Sequence, residues 1–112
     1  MSNVTQTNFY FHENISSTGV GAELNVGKYM DEMVVQVLGD PNSVTFEVQG
    51  KSQGTGAYVP LTTIDLNSLS VGTSHSGGHL LLVSASLKGL VKVRIEVTSI
   101  DGECSIAGRV VS

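Results

Sequence analysis

There is no tryptophan in the 112 residues, and there are only one cysteine, two prolines and three histidines. A lone Cys104 excludes an intrachain disulfide framework and a multi-cysteine metal knuckle. Stability must therefore come from an ordinary core, and a chain of this length can bury roughly two thirds of its unfolded surface. Charge is scarce as well: Asp, Glu, Lys and Arg make up 14% of the chain and leave a net charge of -4. Six basic residues cannot supply the clustered phosphate contacts that nucleic-acid binding requires, so no nucleic-acid partner is expected. No apolar run approaches the ~20 residues of a membrane-spanning helix, and no membrane partner is expected. The segment Met1 to Thr7 lacks the basic and apolar regions of a signal peptide, which implies synthesis and first folding in a cytoplasm.

Present in their place are Gly, Ser, Thr and Val, in short alternating runs. Val91, Val93, Ile95 and Val97 alternate with Lys92, Arg94, Glu96 and Thr98, which is the period of a half-buried strand. Leu80 to Ala85 is nearly continuous in apolar residues, and Lys88-Gly89 lets the chain reverse, so these two runs predict a β-hairpin. Met33, Val35 and Val37 share one face, as do Val44, Phe46 and Val48, with Gly39-Asp40-Pro41-Asn42 between them as turn chemistry. That pair predicts a second hairpin. Asp101-Gly102 followed by Cys104 to Val111 adds a last strand, making the final three a meander.

Pro60 cannot donate to a ladder, which places the segment Tyr58 to Ile64 at an edge. The Gly-rich stretch Gly50 to Gly56 lacks the ending of a phosphate loop and reads as a hairpin loop, while residues 65–70 are weakly structured and 71–78 are loop. Nothing has sustained helical period. The fold class that follows is all-β: a two-layer antiparallel sandwich, jelly-roll or immunoglobulin-like, of about 7–8 strands. Residues 15–112 form the domain, and residues 1–14, with Phe9, Tyr10 and Phe11, are either its first strand or an arm that packs on a neighbouring subunit.

Catalytic and metal patterns are not evident. His75 and His79 are four apart, but Gly77 and Gly78 make a helix implausible, and no ligand spacing brings in His12. Asp31-Glu32, Asp65-Leu66-Asn67 and Asp101-Gly102-Glu103 do not follow a calcium-loop pattern. Without a nucleophile elbow or paired acid and base, the expectation is no enzyme and no cofactor. Lys92 and Arg94 read as the solvated face of a strand. A sugar-binding sandwich stays open, with Tyr10, Tyr29 and Tyr58 as the available stacking rings.

Two phrases carry a family likeness. Val44 to Gly54 followed by Tyr58 to Leu66, and Gly78 to Val97, resemble the "strand, Gly, short loop, aromatic, Pro-Leu" and "Gly, apolar strand, Gly-Leu, Val-Arg-Ile" segments of small β-sandwich virion proteins of tailed phages and prophages, of head-fibre or capsid-decoration type. The loop after Gly50 departs from that pattern, with Gln53-Gly54 and Tyr58 where Asp-Gly and Trp are usual. The resemblance implies a non-enzymatic structural or accessory protein of a phage particle, made in the host cytoplasm, located in the virion and homo-oligomeric, whose partner is a capsid or other virion protein. Phe9, Tyr10, Phe11 and Tyr58 are the candidate protein-contact residues. The alternative is a carbohydrate- or host-receptor-binding module, with a glycan as partner.

Overall fold

Alternation along the chain becomes the inner layer of a sandwich. The computed structural model describes residues 6–27 and 30–111, which leaves Tyr29 and residues 1–5 of the N-terminal segment outside the described residues. Among them are eleven strands: β1 (Gln6–Ile15), β2 (Leu24–Asn25), β3 (Glu32–Gly39), β4 (Ser43–Lys51), β5 (Val59–Pro60), β6 (Thr63–Asp65), β7 (Ser70–Gly72), β8 (His75–Gly77), β9 (Leu82–Ser86), β10 (Lys92–Asp101) and β11 (Cys104–Val111). Six are long enough to show alternation. The other five are two- or three-residue strands, which explains why the sequence predicts about 7–8.

One sheet has the order β1-β11-β3-β9-β6-β7, the other β2-β10-β4-β5 with β8 also on β4, and every pairing is antiparallel. Between them lie the side chains that the period-two pattern points inward: Met33, Val35 and Val37; Val44, Phe46 and Val48; Val83, Ala85 and Leu87; Val93, Ile95 and Val97; Ile106 and Val110. Each removes apolar surface from water at about 25 cal/mol per Å².

Which strands are neighbours differs from expectation. β9 pairs with β3 and β6, whereas β10 pairs with β2 and β4, so the predicted Leu80–Val97 hairpin is instead an arch that crosses from one sheet to the other. The same holds for β3 and β4, and for β10 and β11; the predicted second hairpin and the final meander are both replaced by arches. The physical reason is that a hairpin sets two apolar faces side by side on one sheet, still uncovered, whereas an arch turns them toward each other. Leu87 and Pro41 lie buried within two of these connections. The arches at Gly39–Asn42 and Gly102 also touch: Asn42 N–H donates to the Asp101 carbonyl (2.9 Å). Gly102, at φ 107°, lies so close that a Cβ there would meet Pro41 Cα at 3.1 Å.

True local hairpins are smaller. The Gly-rich stretch closes β4 onto β5 as expected, with Val59-Pro60 on the sheet edge, but the rest of the Tyr58–Ile64 segment leaves that edge. Thr63 and Ile64 lie between β9 and β7 in the other sheet, and with residues 65–72, read as weak structure running into loop, they form the β6–β7 hairpin. His75, read as a loop residue, is buried on β8 opposite Phe46. Its Nε2 lies 2.7 Å from Thr63 Oγ1 on the other sheet, and His12 on β1 likewise reaches the Ile95 carbonyl of β10 (2.7 Å). A carbonyl only accepts, so His12 Nε2 carries the proton. Two histidines thus tie the sheets together, while His79 is exposed beside Asp40 (3.7 Å).

Candidate functional site

The two outer faces of the sandwich are chemically opposite. On the five-stranded sheet, Glu47 lies directly across from Glu96, an arrangement that repels. Gln49 resolves it: its amide nitrogen donates to both Glu47 (2.5 Å) and Glu96 (2.8 Å), and its oxygen accepts from Arg94 Nε (2.7 Å). The Arg94 guanidinium also stacks over the Tyr58 ring, 4.1 Å from its centroid, with Lys51 at 4.9 Å. Tyr58 hydroxyl donates to Glu23. Burial first, then the hydrogen bond and charge of Glu23, push the Tyr58 phenol up to about 12, while that bond holds the Glu23 carboxyl below its ordinary value. Arg94 and Glu96, read as solvated side chains of this face, are therefore members of a connected network.

The six-stranded sheet presents the reverse. One row of outward residues runs Asn8, Arg109, Val34, Ser84, Ile64, Val71 across all six strands, and a second runs Tyr10, Ala107, Gln36, Leu82. Arg109 is the single charge in these two rows. Toward the β7 edge the face becomes apolar: Leu69 is 74% exposed, Leu80 70% and Val71 66%, with Ile64 and Leu66 beside them. Leu66 N–H donates to the Leu82 carbonyl (2.8 Å) and the Asn67 amide to the Leu80 carbonyl, which hold the patch together. Leu69 sits at φ 59°, in the left-handed region unusual for leucine. Its N–H bonds the Asp65 carbonyl (2.7 Å), and the Asp65 carboxylate accepts from Asn67 N–H (2.9 Å). The hairpin is built to display a leucine to solvent.

Of the four predicted contact residues, Tyr10 is the one on this face, 49% exposed. Phe9 and Phe11 turn inward and pack edge to face with centroids 4.9 Å apart, and Tyr58 belongs to the opposite network. The structure thus separates these residues rather than bringing them together. Missed altogether were Ile64, Leu66, Leu69, Val71 and Leu80. The available signal was the pair Leu66 and Leu69 within an otherwise polar turn, where leucine has no local role. Cys104 is buried, and burial raises its thiol pKa, the opposite of an activated nucleophile. Among the described residues no three His, Cys, Asp or Glu side chains are placed to hold one metal ion.

The fold is an all-β sandwich with one outer face whose charged groups largely bond one another and a second whose two rows hold one charge and end in an apolar edge. The chain belongs to the XepA family, whose model matches residues 5–110. It is similar to the SPBc2 prophage-derived protein YomS, at 27% identity and a TM-score of 0.89 over 100% of this chain and 97% of that one. It is also similar to the PBSX exported protein XepA, at 26% identity and a TM-score of 0.88, where 100% of this chain covers 39% of that longer chain. No curated protein matches the sequence. The chain is a phage-associated protein.

Proposed function

We propose that this protein is a non-enzymatic accessory component of a phage particle, of capsid-decoration or head-fibre type. It attaches to a capsid or other virion protein, and associates with further copies of itself, through the apolar β6–β7 edge of the six-stranded sheet's outer face. The observation that carries the reading is the β6–β7 edge: five large apolar side chains stand in solvent where two rows of outward residues holding one charge come to an end, the composition of a protein-contact surface rather than of a solvated one. Family membership and the two prophage structures support the phage context.

The test is to purify particles from a lysogen expressing the tagged chain and its Val71→Glu variant. Co-sedimentation of the wild type, lost in the variant while its far-ultraviolet circular dichroism stays unchanged, is expected. Particles free of the protein, or equal binding by the variant, overturn the proposal. A second reading has the protein act outside the cell, free of particles; it is favoured by the similarity to PBSX XepA, an exported protein. Recovery in the culture supernatant but not with particles selects it.

A further inference from the structure

β1 does not stay in register with β11. Between Tyr10 and His12, and again between His12 and Ile15, the pairing shifts, so that β1 carries two extra residues over the span facing Cys104 to Ala107. Such bulges bend a strand and re-aim its side chains. Here they turn two consecutive residues, Phe11 and His12, into the core, and His12 is held there by its bond to Ile95. Glu13 and Asn14 are displaced outward. Asn14 takes φ 50°, and its N–H donates to Ser105 Oγ (2.9 Å).

The result is a trough of about 310 Å³ on the outer face at this end of the six-stranded sheet. Tyr10, Glu13 and Asn14 form one wall, Leu38 the other, and Glu103 and Ser105 contribute from β11 and the turn before it. Its size is at the small end of ligand sites, which run roughly 300–1,000 Å³.

We propose that this trough is a saccharide site that takes one pyranose ring, neutral or amino-substituted. A pyranose has an apolar C–H face and a rim of hydroxyls that need acceptors and donors at fixed positions. The half-exposed Tyr10 ring supplies the flat apolar surface with a polar edge, and its cross-strand neighbour is the small Ala107, which leaves that flank open. The Glu13 and Glu103 carboxylates accept hydroxyl protons and the Asn14 side-chain NH2 adds a donor, while the Ser105 hydroxyl, which accepts from Asn14 N–H and donates to Asn14 Oδ1 (3.5 Å), holds that residue in place. No Lys, Arg or His lines the trough, so two carboxylates set its potential. Phosphorylated sugars, uronates and sialic acids are disfavoured by charge, and an amino sugar is favoured. The site stands whether or not the protein attaches to particles, because ligand and surface are at different ends of the sheet face.

The test uses the purified full chain and ligand-observed saturation-transfer NMR with methyl glucoside, methyl galactoside, N-acetylglucosamine, glucosamine and glucuronate as probes. Saturation transfer to at least one neutral or amino sugar, none to glucuronate, and an affinity about tenfold weaker in Tyr10→Ala are expected. Tyr10 is surface-exposed, so the variant keeps its circular dichroism. Glu103→Gln, which removes charge and retains shape, is expected to weaken glucosamine more than the neutral sugars. Tyr58→Phe, on the opposite face, is expected to bind as wild type does. No transfer to any neutral or amino sugar, equal binding by Tyr10→Ala, or equal binding of glucuronate overturns the proposal.

Discussion

Leu87→Ala distinguishes an arch from a hairpin. Leu87 sits among the residues that join β9 to β10, yet its exposure is 0%. Its N–H donates to the Asp31 carbonyl (2.9 Å), and its own carbonyl accepts from Leu90 N–H (3.2 Å). Truncation removes three buried carbons, about 2.4 kcal/mol at ~0.8 kcal/mol each. The void left between two sheets that cannot close on it brings the total to about 3–4 kcal/mol, within the ~2–5 kcal/mol range for buried leucines. With no tryptophan to follow, urea unfolding is monitored by far-ultraviolet circular dichroism. At a slope of ~1.5–2 kcal/mol/M the midpoint falls by roughly 2 M, with the slope unchanged, and Tm falls by about 10 °C or more. Leu80→Ala is the control: at 70% exposure it shifts stability by no more than about 0.5 kcal/mol. If Leu87→Ala costs less than about 1 kcal/mol, residue 87 lies in a solvated turn, β9 and β10 are adjacent, and the topology described above is wrong.

Three further outcomes are expected. Phenolate absorbance should show one tyrosine titrating near pH 12, missing in Tyr58→Phe. Glu23→Gln should lower that value only part way, since burial, the largest single cause, remains. The phenol ionises more easily unfolded than folded, so its contribution to stability is complete below pH ~10 and disappears as pH rises toward 12. Gly21→Ala should cost at least about 2 kcal/mol by urea unfolding: Gly21 is at φ 65°, and a Cβ there collides with the Phe11 carbonyl and lies 2.6 Å from His12 Nε2. Leu69→Asn should raise stability by about 0.5–1 kcal/mol, because asparagine tolerates the left-handed backbone that leucine resists, while weakening particle attachment; a loss of stability with attachment intact would count against both the strain and the contact.

Faces were legible in the sequence; neighbours were not. The inward sets 33, 35, 37 and 44, 46, 48 and 93, 95, 97 follow from alternation alone, because burying one side of a strand demands period two. Turn chemistry at Gly39–Asn42, Lys88-Gly89 and Asp101-Gly102 says that the chain reverses, but an arch and a hairpin reverse equally well. What separates them is whether the connection itself is buried, and Leu87 in the middle of one was the readable hint. Residues 65–77 were misjudged for another reason: strands of three residues carry too few positions to show a period. The trough at β1 was illegible, since a bulge breaks the alternation that would have placed His12 outward beside Tyr10.

The contrast between the outer faces decides where a partner can bind. On the five-stranded sheet the strong donors and acceptors are already spent on one another: Gln49 uses both amide protons and its oxygen, Tyr58 is committed to Glu23 and covered by Arg94. A ligand there must break charge-assisted bonds before making any, and gains little net. Burying Val71, Leu69 and Leu80 breaks no such bond and releases exposed apolar surface from water. Tyr10, at the far end of the same sheet, offers an uncommitted half of its ring. Interaction capacity is thus concentrated on the six-stranded face by the saturation of the other, and charge substitutions at residues 47, 49 or 96 should alter stability while leaving both proposed contacts intact.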